Sequence, residues 1–245
     1  MDIFTIDEPP AFPPLLRGEE AGAGIDPFAK AVSAAITGTD AGLVVYNIEP
    51  HMIRAAVVLA PEAPLQDAMA MVFAGALGFG DALGALAPPE VGVHMDWPGG
   101  LRVNGARCGQ IRAAAPAGEA EQEPDWLVIG LEVPVFPVGD TVEPGESPDN
   151  TTLTEEGCGE VSPSRLVEGW ARHMLVWINR WLEDGIAPLH ADWRARAFNL
   201  GEDIQLELDG DSYTGTFVGL DDRGGMLLRR DDETTLLPLT RMLEK

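Results

Sequence analysis

His94 and Asp96 stand two residues apart in the segment VHMDWPGG. That spacing puts both side chains on one face of a strand, and a histidine beside a carboxylate is a pairing used for general acid–base work. The same spacing equally gives a surface pair with no chemistry, and no nucleophile motif accompanies it. His51, His173 and His190 are dispersed, without the intervals that metal ligation needs. Two cysteines, Cys108 and Cys158, are too few for a metal-ligand set or a disulfide framework. No metal site is expected, and a reducing cytoplasm is the simplest context. Gly22-Ala23-Gly24 precedes a helical pattern, but a G-x-G with no strand before it is a weak phosphate signal. Taken alone, Trp97-Pro98-Gly99-Gly100 reads as a hairpin turn packed by an indole.

Charge narrows the partners. The 245-residue chain sets 16 Lys and Arg against 40 Asp and Glu, a formal net charge of −24. Phosphate backbones and anionic lipid attract cationic surfaces, so neither nucleic acid nor membrane is expected as the main partner. Small molecules or a basic protein patch fit better, although solubility alone also explains such a surface. Only Lys30 and Lys245 are lysines. Met1 to Pro14 is acidic and proline-rich, with no basic and apolar leader pattern. The tract Pro64 to Leu86 carries Asp67, Asp81 and several glycines, and reads as a core helix, not a membrane span.

The elements that must position these residues follow from periodicity. FTIDEPPAFPPLL reads as an extended arm or first strand, because its prolines forbid a helix interior. Asp26-Pro27 begins a helix as N-cap and first position, with Phe28, Ala31, Val32 and Ala35 on one face until Gly38. GLVVY (42–46) and IRAAVVL (53–59) are adjacent strands joined by the short NIEPHM, and an apolar helix runs on to Leu86. Val91 to Gln110 gives strands around Gly99-Gly100 with a further turn at Asn104-Gly105. Asp125 to Gly130 and Val133 to Val138 read as a sheet strand and its continuation, and Gly139 to Gly159 reads as a mobile surface loop. From Ser162-Pro163, the recurrence of Leu166, Val167, Trp170, Met174, Trp177, Ile178, Trp181 and Leu182 marks the clearest helix, stopped by Gly185. Beyond Ala197, turns at Asp209-Gly210, Asp222 to Gly225 and Asp231-Asp232 separate short strands, giving a small antiparallel barrel of about five. The expectation is an α+β chain: a mixed sheet packed with helices over residues 1–197, and a small all-β barrel over 198–245.

The run Trp97-Pro98-Gly99-Gly100-Leu101, a short turn, then Arg107-Cys108-Gly109-Gln110-Ile111 resembles the biotin protein ligase signature K-W-P-N-D-L…K-x-x-G-I. Upstream, LAPEAPLQDA is similar to that family's apolar strand and proline-containing start of a long helix. Downstream, PDWLVIGLEVPV is similar to its V-V-I-G-I-G-I-N-V strand, and the closing helix and short strands resemble its SH3-like C-terminal domain. The similarity covers most of the chain in order.

The resemblance implies a biotin/lipoate protein ligase fold. It also implies ATP- and Mg-dependent adenylation of biotin, or of a lipoyl-type acid such as lipoate or octanoate, and transfer to a lysine of a biotinyl or lipoyl carrier domain. It places Arg107 at the family's catalytic lysine. Arg54, Trp97, Pro98, Gly99, Gly100, Gly109, Gln110 and Ile111 fall in the ligand-binding stretch. The departures are specific. Only Asn47 to Met52 stands where a glycine- and arginine-rich loop covers acid and phosphates, with Arg54 the nearest cation. Gly99 and Gly100 replace the Asn-Asp pair that organises metal and nucleotide, and Ile25-Asp26-Pro27 replaces a Ser-Thr-Asn segment. By the same resemblance, the barrel packs near the active-site face. Two functional expectations follow: an atypical ligase in which Arg107 supplies the lysine's charge, or an inactive homologue that binds a small acid or a carrier domain. A DNA-binding repressor is not expected, since no N-terminal helix-turn-helix pattern is visible and the charge is wrong.

Overall fold

In the computed structural model, which describes residues 8–137 and 149–244, seven strands form one mixed sheet in the order β1-β2-β3-β7-β6-β5-β4. They are β1 (Arg17–Glu20), β2 (Leu43–Glu49), β3 (Met52–Leu59), β4 (Val93–Asp96), β5 (Gly100–Val103), β6 (Ala106–Ala114) and β7 (Leu127–Pro134). Only β1 pairs parallel with its neighbour; the other ladders are antiparallel. Helices cover both faces. On one, α1 (Pro27–Ile36) lays Phe28, Ala31 and Ala35 on Val45, Ala56, Val58 and Val128. On the other, a short α2 (Leu65–Ala68) leads into α3 (Met71–Leu86), which α4 (Pro163–Asp184) and α5 (Ala187–Ala195) enclose.

The helix starts obey the expected capping chemistry. The Asp26 carboxylate accepts from the Phe28 amide at 3.0 Å, and the Ser162 hydroxyl accepts from the Arg165 amide at 3.2 Å. Each thereby satisfies an amide that the first turn leaves without a helical partner. Gly185, at φ 70°, ends α4 in the left-handed region. The tract from Leu65 to Leu86 is long and apolar enough to cross a membrane, yet 78% of its most apolar window is buried inside the protein. It is the central core helix. At Gly78 a Cβ would lie 2.9 Å from the Met174 amide nitrogen, so the close approach of α3 and α4 requires glycine there.

Several expectations are corrected. The prolines of the opening segment hold it without regular structure up to Leu16, and the first strand begins at Arg17; residues 4–7 of that segment lie outside the described residues. The apolar helix breaks in two at Met69-Ala70. Residues 138–148 of the expected surface loop lie outside the described residues, but 149–159 pack down. The Arg107 amide donates to Asp149, Leu153 donates to the Pro134 carbonyl, and Leu153 and Cys158 are buried. Backbone pairing and apolar burial together hold this stretch against the sheet.

The C-terminal unit has four strands, not five: β8 (Asp203–Leu208), β9 (Asp211–Leu220), β10 (Met226–Arg230) and β11 (Glu233–Leu237), in the order β11-β10-β9-β8. Pro238, which lacks an amide hydrogen, ends β11, and the chain turns into a 3-10 segment at Leu239–Met242 instead of a fifth strand. The core of this unit is continuous with that of the larger one. Trp193 stacks on Phe73 at 4.9 Å and meets Phe217 edge-on at 6.4 Å. A buried hydrogen bond of 2.9 Å from Trp97 Nε1 to the Gly224 carbonyl ties the signature turn to the barrel. Replacing Trp97 with Phe keeps the ring but leaves that carbonyl without its donor. The expected cost is about 1–3 kcal/mol. Calorimetry should show one transition, lowered by about 2–4 °C per kcal/mol; an unchanged midpoint would show that the bond does not hold the units together.

Candidate functional site

The strands that carry the signature meet at β6. Asn104 (φ 50°) and Gly105 (φ 95°) make the two-residue turn from β5 into β6, and the β5–β6 register slips between Gly100 and Arg102. Gly109, at φ 119°, lets β6 pass so close to β7 that a Cβ would lie 2.2 Å from the Glu132 carbonyl oxygen. Gly99 is similarly hemmed, its absent Cβ 2.6 Å from the Ile111 carbonyl oxygen. These glycines fix backbone geometry on the cleft side of the sheet.

Pro98, Gly99, Gly100, Gln110 and Ile111 line a cavity of about 310 Å³, with Glu207, Leu208 and Asp209 of the barrel opposite. The barrel therefore faces the signature. Trp97 lies in the core beneath the cleft. Gly109 acts through its contact with β7. Arg107 stands at the outer end of β6 with its side chain 61% exposed, and its nearest carboxylate is Asp96 at 3.5 Å. Asp96 is committed to Arg102, whose Nε donates to it at 2.6 Å. His94 turns instead toward the Phe198 ring at 6.1 Å, and its buried Nδ1 has no partner. The acid–base pairing of His94 with Asp96 is thus not assembled.

Arg54 leads to a group that sequence reasoning missed. Its guanidinium lies 3.3 Å from Glu49 and 3.7 Å from Glu132. Glu132 also accepts from Gln110 at 2.8 Å and from Arg112 Nη1 at 2.9 Å. Arg112 in turn reaches Asp26 at 3.1 Å and holds both oxygens of Glu244, each at 2.7 Å, while its guanidinium lies 4.1 Å above the Phe28 ring. With its side chain only 17% exposed, Arg112 carries three carboxylates. The hydrogen bond to Glu244 is the main reason its proton is held more tightly than usual, with Glu132 and Asp26 adding to it against burial. One signal was available: Glu132 falls where the strand pattern V-V-I-G-I-G-I-N-V has its second glycine.

The β2–β3 connection is a tight hairpin in which Glu49 pairs with Met52, leaving only Pro50 and His51 at the turn. His51 is 3.6 Å from Glu49. No arginine-bearing loop projects over the cleft from this turn. A magnesium–nucleotide pair does not fit the residues present. Gly99 and Gly100 bring no oxygen side chain, Asp96 is taken by Arg102, and Asp26, Glu132 and Glu244 are paired with Arg112. Among the described residues no three His, Cys, Asp or Glu side chains are grouped to hold a metal.

The chain belongs to the biotin/lipoate A/B protein ligase family, whose model matches residues 12–195. A second model, described as a domain of unknown function (DUF4444), matches residues 200–245. Biotin--[acetyl-CoA-carboxylase] ligase of Paracoccus denitrificans is 28% identical over 181 residues, 74% of this chain and 75% of that protein. The crystal structure of a biotin protein ligase-like protein of unknown function from Silicibacter sp. TM1040 is 52% identical, covers 96% of this chain and 99% of its own, and superposes with a TM-score of 0.88. Biotin protein ligase from Aquifex aeolicus, in complex with biotin and ATP, shares the fold at 16% identity, with a TM-score of 0.68 over 96% of this chain and 97% of its own.

Two outcomes test this geometry. Removing Arg112 as Arg112→Ala leaves Asp26, Glu132 and Glu244 facing one another, at an expected cost of about 2–4 kcal/mol in urea unfolding. Adding Glu132→Gln and Glu244→Gln should restore much of it, because the repulsion goes with the charges; simple additivity would contradict the hub. Burial, with Glu156 nearby, pushes the Cys108 thiol up to about 12, and burial likewise raises Cys158. Iodoacetamide at pH 8 should label neither in the native protein and both in urea. Since the folded state keeps the Cys108 proton longer, its contribution is intact below the ordinary thiol value of 9.0 and declines as pH rises toward 12.

Proposed function

We propose that this member of the ligase family binds a small carboxylic acid in the cleft between sheet and barrel and does not adenylate it. The observation that carries the reading is the two-residue hairpin at Pro50-His51, which stands where the family's resemblance calls for a phosphate-covering loop. Arg107 alone replaces the lysine, exposed and partly engaged by Asp96, and a guanidinium there offers a fork in place of a compact point charge. The acidic residues around Arg112 add a field that opposes a triphosphate. A formal charge of −24 favours a small ligand over an acidic carrier domain, which the protein's own surface would repel. Free, buried Cys108 and Cys158 support a reducing, cytoplasmic setting.

Acid-dependent ATP–pyrophosphate exchange tests this reading, with biotin, lipoate and octanoate offered separately and Arg107→Ala as control. The expected outcome is exchange no faster than in the absence of protein for every acid. Exchange that requires one of them and is lost in Arg107→Ala would overturn the reading and establish an adenylating ligase.

A further inference from the structure

Residues that follow the barrel's last strand lie across the cleft. Arg112, Asp209, Arg241, Leu243 and Glu244 line both the 310 Å³ cavity at the signature and a second cavity of about 1040 Å³ beside α1. Segment 240–244 is therefore a partition between two halves of one larger space. Two interactions at Glu244 hold it: its amide donates to the Ala113 carbonyl at 2.9 Å, and its carboxylate forks onto Arg112 Nε and Nη2.

The two edges of Arg112 are not equivalent. Nη1 is taken by Glu132 and Asp26, which belong to the sheet and to the start of α1. The Nε–Nη2 edge is taken by Glu244, whose side chain is 42% exposed, against 22% for Glu132. A parallel two-point fork is how a guanidinium receives a free carboxylate. Next to it, Phe28, Val32, Ala114, Pro116 and Trp126 wall the larger cavity with apolar surface.

We propose that Glu244 is an internal stand-in for the ligand's carboxylate. The ligand is a small acid with an apolar body, which displaces Glu244 from Arg112 and lays its body along α1 and Trp126. Exchange of one carboxylate for another leaves Arg112 paired, so the entering acid meets a cation already shaped for a carboxylate. A neutral or cationic molecule cannot complete the fork. This assignment rests on the non-adenylating reading: Arg112 lies five residues along β6 from Arg107, about 15 Å of strand, so an acid anchored there is held away from the position of the family lysine.

The test is calorimetric titration of the full-length protein with octanoate, and with octanamide as its neutral isostere, in the absence of ATP. Octanoate should bind and octanamide should not. In Glu244→Gln the internal competitor loses its charge, and the apparent affinity for octanoate should rise about tenfold, since affinity scales with the open fraction. Arg112→Ala should abolish binding, with circular dichroism reporting whether that variant folds. Equal binding of octanamide, or an affinity unchanged or weakened in Glu244→Gln, overturns the assignment whatever the state of Arg112→Ala. So does an absence of octanoate binding in both wild type and Glu244→Gln. Pyrophosphate exchange in the same samples separates this failure from that of the non-adenylating reading, because an adenylating protein would turn over with or without the Glu244 latch.

Discussion

A guanidinium with little access to water must have its donors met, and Arg112 has them met by three carboxylates from three parts of the chain. Asp26 comes from the N-cap of α1, Glu132 from the middle of the sheet, and Glu244 from beyond the barrel. Left unpaired, Arg112 and Glu132 would bear the desolvation cost, since their side chains are 17% and 22% exposed. Together the arginine and its three carboxylates fix the helix start, the β6–β7 face and the last described segment in one arrangement. Asp26 does two jobs there, accepting from the Phe28 amide with one oxygen and from Arg112 with the other. Phe28 closes the group from above.

That arrangement underlies the proposal that this family member binds an acid without adenylating it. The sheet order, the covering helices and the barrel are those of a biotin protein ligase, and the signature turn keeps its place between β4 and β5. Acyl-adenylate formation needs cations around phosphates and a carboxylate brought to them. Here Arg112 is paired with Asp26, Glu132 and Glu244, which is why binding without adenylation is the reading proposed. Gly99 and Gly109 are required by packing between strands, since a Cβ at either would meet a backbone carbonyl oxygen.

Most of the fold was legible because its signals are local. Asp26-Pro27, Ser162-Pro163, Asn104-Gly105 and Gly185 act within a few residues of themselves, and each does in the structure what its chemistry implies. The stripe of Trp170, Met174 and Trp177 likewise declares a buried helix face. The site was less legible. The order of the signature makes Arg107, Gly99, Gly100 and Gln110 the expected site residues, but Arg112, Asp26, Glu132 and Glu244 come together across as many as 218 positions of chain, and no periodicity reports that. The packed stretch after Asp149 was misread for a related reason. Its composition is that of a loop, while its backbone partners sit on β6 and β7.

Helix α3 is buried on nearly every side, and its principal cover, α4, begins at Pro163, long after α3 ends at Leu86. On the ribosome, at roughly 5–20 residues per second, the chain between them takes about 4–15 s to appear. Throughout that interval the apolar surface of α3 is made before the helix that covers it, the situation in which a nascent chain is most exposed to aggregation.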